Sequence, residues 1–198
     1  RFAAPSAEHF FGTDEYGRDI FSRVIYGCRT SMEIGLISVA ISCIIGVVIG
    51  AIAGFYGGIT DNLFMRFIDV LMAIPNTLLG ISIVAALGNS IPNLIIALSI
   101  GSIAGYARVV RVSVLSTKGT EYVEAAYATG ASDFRIIFKY ILPNCLAPII
   151  VQATMSVATT IMAATGLSFL GLGVPAPTPE WGAMASSSRA YIRDYWWL

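Results

Sequence analysis

The side chains able to carry out chemistry are few and scattered. His9 is the only histidine, and Cys28, Cys43 and Cys145 stand far apart with no CxxC pair. Neither a zinc site nor a disulfide framework is supported. Asp14, Glu15 and Asp19 gather around Gly17, but a calcium loop needs oxygen ligands at alternate positions and a later glutamate, so this run reads as a turn. The lysines, Lys118 and Lys139, lie outside any GxxxxGK[ST] pattern, which leaves no loop to cradle a nucleotide phosphate. An enzyme would also need a nucleophile, an acid–base pair or a metal cluster, and the apolar runs hold no paired carboxylates. What stands out instead is a polar stretch, Glu121 to Pro143, between long apolar segments.

The elements that position this stretch are membrane helices. The chain has 198 residues, 56% hydrophobic and 12% charged, with zero formal net charge and a mean hydropathy of +0.75. That exceeds the apolar share of a soluble domain, and the charge balance offers nothing to a nucleic acid. Four segments reach the ~20 apolar residues needed to cross a bilayer: residues 32–55, 63–87, 91–115 and 143–172. They lack period-two alternation, so helices rather than a barrel satisfy the backbone in lipid. The expectation is an all-α, polytopic transmembrane bundle. Residues 1–31 are then an outer segment, 116–142 a loop on the opposite side and 173–198 a second outer loop. No secretory signal is expected, because the first apolar run begins beyond Ser31. Starting on Arg1 rather than Met and stopping at Leu198, the chain is expected to be cut at both ends, with spans of the whole bundle missing from it.

Gly46, Gly50 and Gly54 form two GxxxG steps in the first span, and Gly101 and Gly105 repeat the spacing in the third. Such steps let neighbouring backbones approach closely. Pro75 should bend the second span. Arg66 and Asp69, three residues apart, are expected to pair, while Arg108 and Arg111 should snorkel to the headgroups. Lys118, Arg135 and Lys139 place the 116–142 loop in the cytoplasm by the positive-inside rule. Ile20, Phe21, Val24 and Ile25 make an apolar stripe, either an interfacial helix or a cover for a pathway mouth. Trp181, Trp196 and Trp197 read as interfacial anchors.

Within the loop, Thr120 is placed to cap a helix whose first turns hold Glu121 and Glu124, carboxylates favoured at the positive end of the helix dipole. Ala125, Ala126 and Ala128 keep its surface slim, and Gly130 can end it in a left-handed turn. Ser132 is placed to cap a second helix in which Phe134, Ile137, Phe138 and Ile141 recur at helical spacing, with Pro143 closing it. An exposed amphipathic pair of this kind suits a groove on a cytoplasmic protein.

These residues carry a resemblance. Glu124, Ala125 and Ala126, then Gly130, then Leu142 and Pro143 resemble the EAA loop of the membrane subunits of bacterial ATP-binding-cassette importers, with Tyr140 where the family usually has isoleucine. Gly12, Thr13, Asp14, Gly17, Arg18 and Asp19, followed by Ser22, Arg23, Tyr26, Gly27, Arg29, Thr30 and Ser31, resemble the external segment of the peptide and nickel permease branch. Phe169–Gly173 and Pro179–Ala183 are similar to its last external loop.

The resemblance implies a type I importer permease fold in the bacterial inner membrane. It implies that Glu121, Glu124, Ala125, Ala126, Gly130, Leu142 and Pro143 dock on separate cytoplasmic ATPase subunits. Gly12, Thr13, Asp14, Gly17, Arg18 and Asp19 would lie at the external entrance. It further implies a second homologous permease subunit, an external substrate-binding protein, and ATP consumed by the partner, with no cofactor in this chain. An ion-coupled secondary transporter is the rival, but the charged residues in the spans gather toward one end rather than at the midplane.

Overall fold

The computed structural model describes residues 1–198 as helices joined by short turns. Helix α1 spans Ile20–Tyr56 and α2 spans Gly58–Ala73. They are followed by α3, Asn76–Leu87, and α4, Ile91–Lys118. Next come α5, Glu121–Ala128, and the short α6, Asp133–Arg135. A π turn (Ile136–Ile141) and a 3-10 turn (Leu142–Cys145) lead into α7, Leu146–Phe169, and α8 is Trp181–Ser188. Three helical stretches, Ile20–Tyr56, Ile91–Lys118 and Asp133–Phe169, are long and apolar enough to cross a membrane, and α2 with α3 makes a fourth if the bent pair counts as one span.

Several elements differ from expectation for local reasons. The apolar stripe at Ile20–Ile25 is the opening of α1 and runs unbroken into the first span, so it is no separate helix. The stretch 63–87 is two helices at 85°. Pro75 supplies no N–H, and Ile74 before it adopts an extended conformation, φ −95 and ψ 125, as a residue ahead of proline favours. Pro143 does not close the second loop helix. The chain passes it through the π and 3-10 turns and continues as α7.

The chain divides into two compact units. One comprises residues 38–79 and 99–158. Here α1 and α4 meet backbone to backbone at the predicted glycine steps. A Cβ on Gly46 would stand 2.9 Å from the Ile103 carbonyl, one on Gly50 2.5 Å from that of Ala107, and one on Gly54 3.0 Å from that of Arg111. Gly101 and Gly105 share the spacing but not the use, since a Cβ there would find only ordinary contacts beyond 3.5 Å. Helix α2 packs Ile68 against Ile103, Ala104 and Ala107 of α4. The expected Arg66–Asp69 pair does not form. Asp69 instead accepts from Arg108 at 2.6 Å, and Asp61 takes Arg111 through two bonds of 2.5 Å. Both arginines are thus held by carboxylates of α2. Pairing with a carboxylate already in reach lowers the cost of immersing both charges.

The other unit comprises residues 1–37, 80–98 and 159–198. Its long helices are joined at Gly80, whose Cβ position lies 3.2 Å from Leu167, and by Asn89, which donates to the Gly171 carbonyl at 2.8 Å. Two of the expected tryptophan anchors, Trp181 and Trp197, are half-buried against their own unit. Trp181 donates Nε1–H to the Val24 carbonyl at 3.0 Å, and the Trp197 indole covers Gly12, while Trp196 remains 77% exposed.

Candidate functional site: a loop founded in the helix ends

The 120–142 loop stands on the same core as the helices it joins. Val123 and Ala126 of α5, and Ile136, Ile137 and Ile141 beyond it, are buried with Ala51 and Phe55 of α1, Val110 and Val114 of α4, and Cys145 and Ile149. Phe55 stacks on Tyr127 with ring centroids 6.2 Å apart. Lys118 donates to the Phe55 carbonyl and holds its ammonium 5.6 Å over the same ring, a cation where the C-terminal end of a helix dipole favours one. The opposite side of α5 is left to solvent: Glu121, Glu124 and Ala125 are exposed and neither glutamate is in a salt bridge. Ala126 therefore serves as an anchor rather than as surface.

The end of α5 is a Schellman turn. Gly130 has φ +76, its N–H bonds to the Tyr127 carbonyl at 2.9 Å, and Ala131 N–H reaches back to Ala126 at 3.1 Å. This pattern wants a residue free to adopt a left-handed conformation. No atom lies within 4 Å of a Cβ placed there, so the turn projects into open space. The two expected side-chain caps are absent. Thr120 turns its hydroxyl to the Thr117 carbonyl at 2.7 Å, and neither its side chain nor that of Ser132 bonds the helix that follows.

The π turn shifts the phase of the following helix. Ile136, Ile137 and Ile141 face inward, while Phe134 (71% exposed) and Phe138 (53%) lie outside, their rings tilted at 34° with centroids 4.4 Å apart, instead of sharing the buried face. Leu142 is half-buried and Pro143 exposed. Burial, then the Asp133 carboxylate, pushes the Tyr127 phenol up, so it stays protonated beside its ring partner.

The other predicted group, at residues 12–19, is a tight knot. Asp14 accepts from the N–H groups of Tyr16 and Arg18, each at 2.9 Å, and from Arg18 Nε at 2.6 Å. Burial alone would raise its pKa; those bonds outweigh burial and hold it below the usual carboxylate range. Asp19 accepts from Ser22 N–H at 2.8 Å and pairs with His9 Nδ1 at 2.9 Å. The Ser22 bonds and then His9 keep its pKa low. Thr13 bridges Asp19 and binds Ala3 N–H, and Gly12 and Gly17 take φ +74 and +82.

Glu180 carries more of this region than its sequence context revealed. It is 1% exposed, caps α8 by accepting from Gly182 and Ala183 N–H at 2.8 Å each, and receives the Ser31 hydroxyl at 3.4 Å. Glutamate is not among the side chains usually favoured at an N-cap, so its sequence context did not mark it.

A helical membrane bundle with one solvent-facing loop rooted in three helix ends is the architecture of an importer permease. The membrane chain of a MetNI methionine ABC transporter solved in inward-facing form matches it with a TM-score of 0.73 at 20% identity, over 91% of this chain and 84% of that one. The family profile of the binding-protein-dependent transport system inner membrane component matches residues 46–192, and the chain belongs to that family. Among its relatives are a dipeptide transport system permease protein of Alkalihalophilus pseudofirmus, 49% identical over 100% of this chain and 65% of that protein, and a di/tripeptide permease of Pseudomonas aeruginosa, 47% identical over 97% and 63%. A probable D,D-dipeptide permease of Escherichia coli is 43% identical over 100% and 66%. The chain thus spans somewhat less than two thirds of the length of the first two.

Proposed function

We propose that this chain is a membrane permease subunit of an ATP-driven importer of short peptides. It forms part of the translocation pathway and takes its energy from a separate cytoplasmic ATPase that docks on α5. The arrangement of α5 carries the reading: one side is sunk in the core shared by the ends of α1, α4 and α7, while Glu121, Glu124 and Ala125 face outward. A push on the exposed side would be delivered to three spans at once, because a packed core transmits strain rather than absorbing it. The cytoplasmic position of the loop follows from its lysines and arginine. An external binding protein and a second permease subunit complete the assembly. Peptide rather than nickel is favoured by the names of the relatives.

The test uses the full-length assembled transporter. Replacing Ala125 with Trp and Glu124 with Lys should leave the membrane complex folded, yet abolish ATP-dependent dipeptide uptake into vesicles and weaken retention of the ATPase. Unchanged uptake would sink the coupling role. Uptake that persists without ATP and follows an ion gradient would favour a secondary transporter.

A further inference from the structure

Gly101, Gly105 and Arg108 lie on one face of α4, at i, i+4 and i+7. Unlike the glycines of α1, this line is roomy and polar. A Cβ on Gly101 would meet the Asn76 side chain of α3 at 3.6 Å, and one on Gly105 would meet Gln152 Nε2 of α7 at 3.7 Å. At its end Arg108 binds Asp69 of α2 at 2.6 Å, with both side chains 48% exposed. Arg108 and Asp69 both lie in helices that are candidates to cross a membrane, α4 and the bent α2–α3 pair. Half-exposed charges on such helices are costly against lipid and belong beside water or protein.

The same two helices are already braced by Asp61 and Arg111, doubly bonded and with side chains only 15% and 30% exposed. The Asp69–Arg108 pair is therefore available for another use. We infer that it is a way station for a zwitterionic short peptide, whose α-carboxylate takes Arg108 while its α-ammonium takes Asp69. This rests on the peptide-import reading. The exchange replaces one ion pair with two and leaves the net charge of the pathway unchanged, so no uncompensated charge is immersed. Two extended residues span at most about 7 Å, a length that suits two charges separating by a small amount. Asn76 and Gln152 offer amide donors and acceptors to the peptide bond, and the two glycines leave its backbone room.

The experiment uses the complete transporter with its external binding protein unchanged throughout. Asp69→Asn and Arg108→Gln should each cut dipeptide uptake on the order of tenfold or more while the complex stays assembled. The charge swap Asp69→Arg with Arg108→Asp should restore thermal stability but not uptake, because a brace tolerates reversal and a polar binding site does not. Gly105→Cys, which the local space accommodates, should react with a hydrophilic thiol reagent above the background of the native cysteines, and a dipeptide should protect it during turnover. Normal uptake in either neutralised variant, recovery of uptake in the swap, or an unreactive Cys at position 105 would each overturn the inference. Should the unsubstituted transporter import no dipeptide while position 105 is labelled, the peptide-import reading fails and the pathway is shown to serve another solute.

Discussion

The knot at residues 12–19 and the loop at 120–142 hold similar numbers of carboxylates and spend them differently. Asp14, Asp19 and Glu180 each accept backbone N–H groups of their own unit. Glu121 and Glu124 do nothing of the kind: they stand exposed in the first turn of α5. A carboxylate used up on local amides fixes the chain, and its removal leaves donors unpaired. One left free contributes little to folding and keeps its charge for an encounter. The difference separates a structural knot from the surface proposed to meet the ATPase, although both look like acidic turns in the sequence.

That contrast can be broken by experiment. The largest effect is expected at Glu180. Glu180→Ala strands one buried and one part-buried amide and should cost about 2 kcal/mol, read as a lowered melting temperature of the detergent-solubilised complex. Glu121→Gln with Glu124→Gln should stay within about 0.5 kcal/mol of the parent, yet lose the salt-sensitive part of ATPase binding. Equal losses of stability at the two sites would erase the distinction. Next, Gly130→Ala should cost about 1 to 2 kcal/mol through its left-handed backbone alone, and Gly130→Asn less. Thermal melts of the two variants would separate conformational strain from side-chain intrusion at a partner surface. Asp19→Ala should remove the bond to the Ser22 amide at the start of α1, seen as faster hydrogen exchange there.

The smallest effect concerns pH. Asp14 has a folded pKa below its unfolded value. Its contribution is fully present above the unfolded carboxylate range, near about 3.9, and is lost as pH falls through the lower folded value. Asp14→Asn should flatten that acid limb of the stability profile; an unchanged limb would remove Asp14 from the knot.

Residue types that act through the backbone were legible from their letters. Gly46, Gly50 and Gly54 announced a close helix approach, and Gly130 announced a left-handed turn, because the demand is local. Gly101 and Gly105 have the same spacing but a different neighbour, which spacing cannot encode. The long-range partners were hidden for the same reason. Asp69 had a cation three residues away and took one 39 positions distant, since interhelical geometry outweighs an exposed i, i+3 attraction of a few tenths of a kcal/mol. Glu180 looked like part of a motif until the Gly182 and Ala183 amides were seen to converge on it.

The wide turn at Ile136–Ile141 sets the azimuth of everything after it. A π turn is an α-helix carrying one surplus residue, and each residue of a regular helix corresponds to about 100° of rotation, from 3.6 per turn. Deleting one position there would let the helix regularise and swing the whole of α7 around its axis, carrying Gln152 away from Gly105. Insertions and deletions at this point would therefore act as a tuning peg for whatever α7 presents, without altering a single side chain along its length.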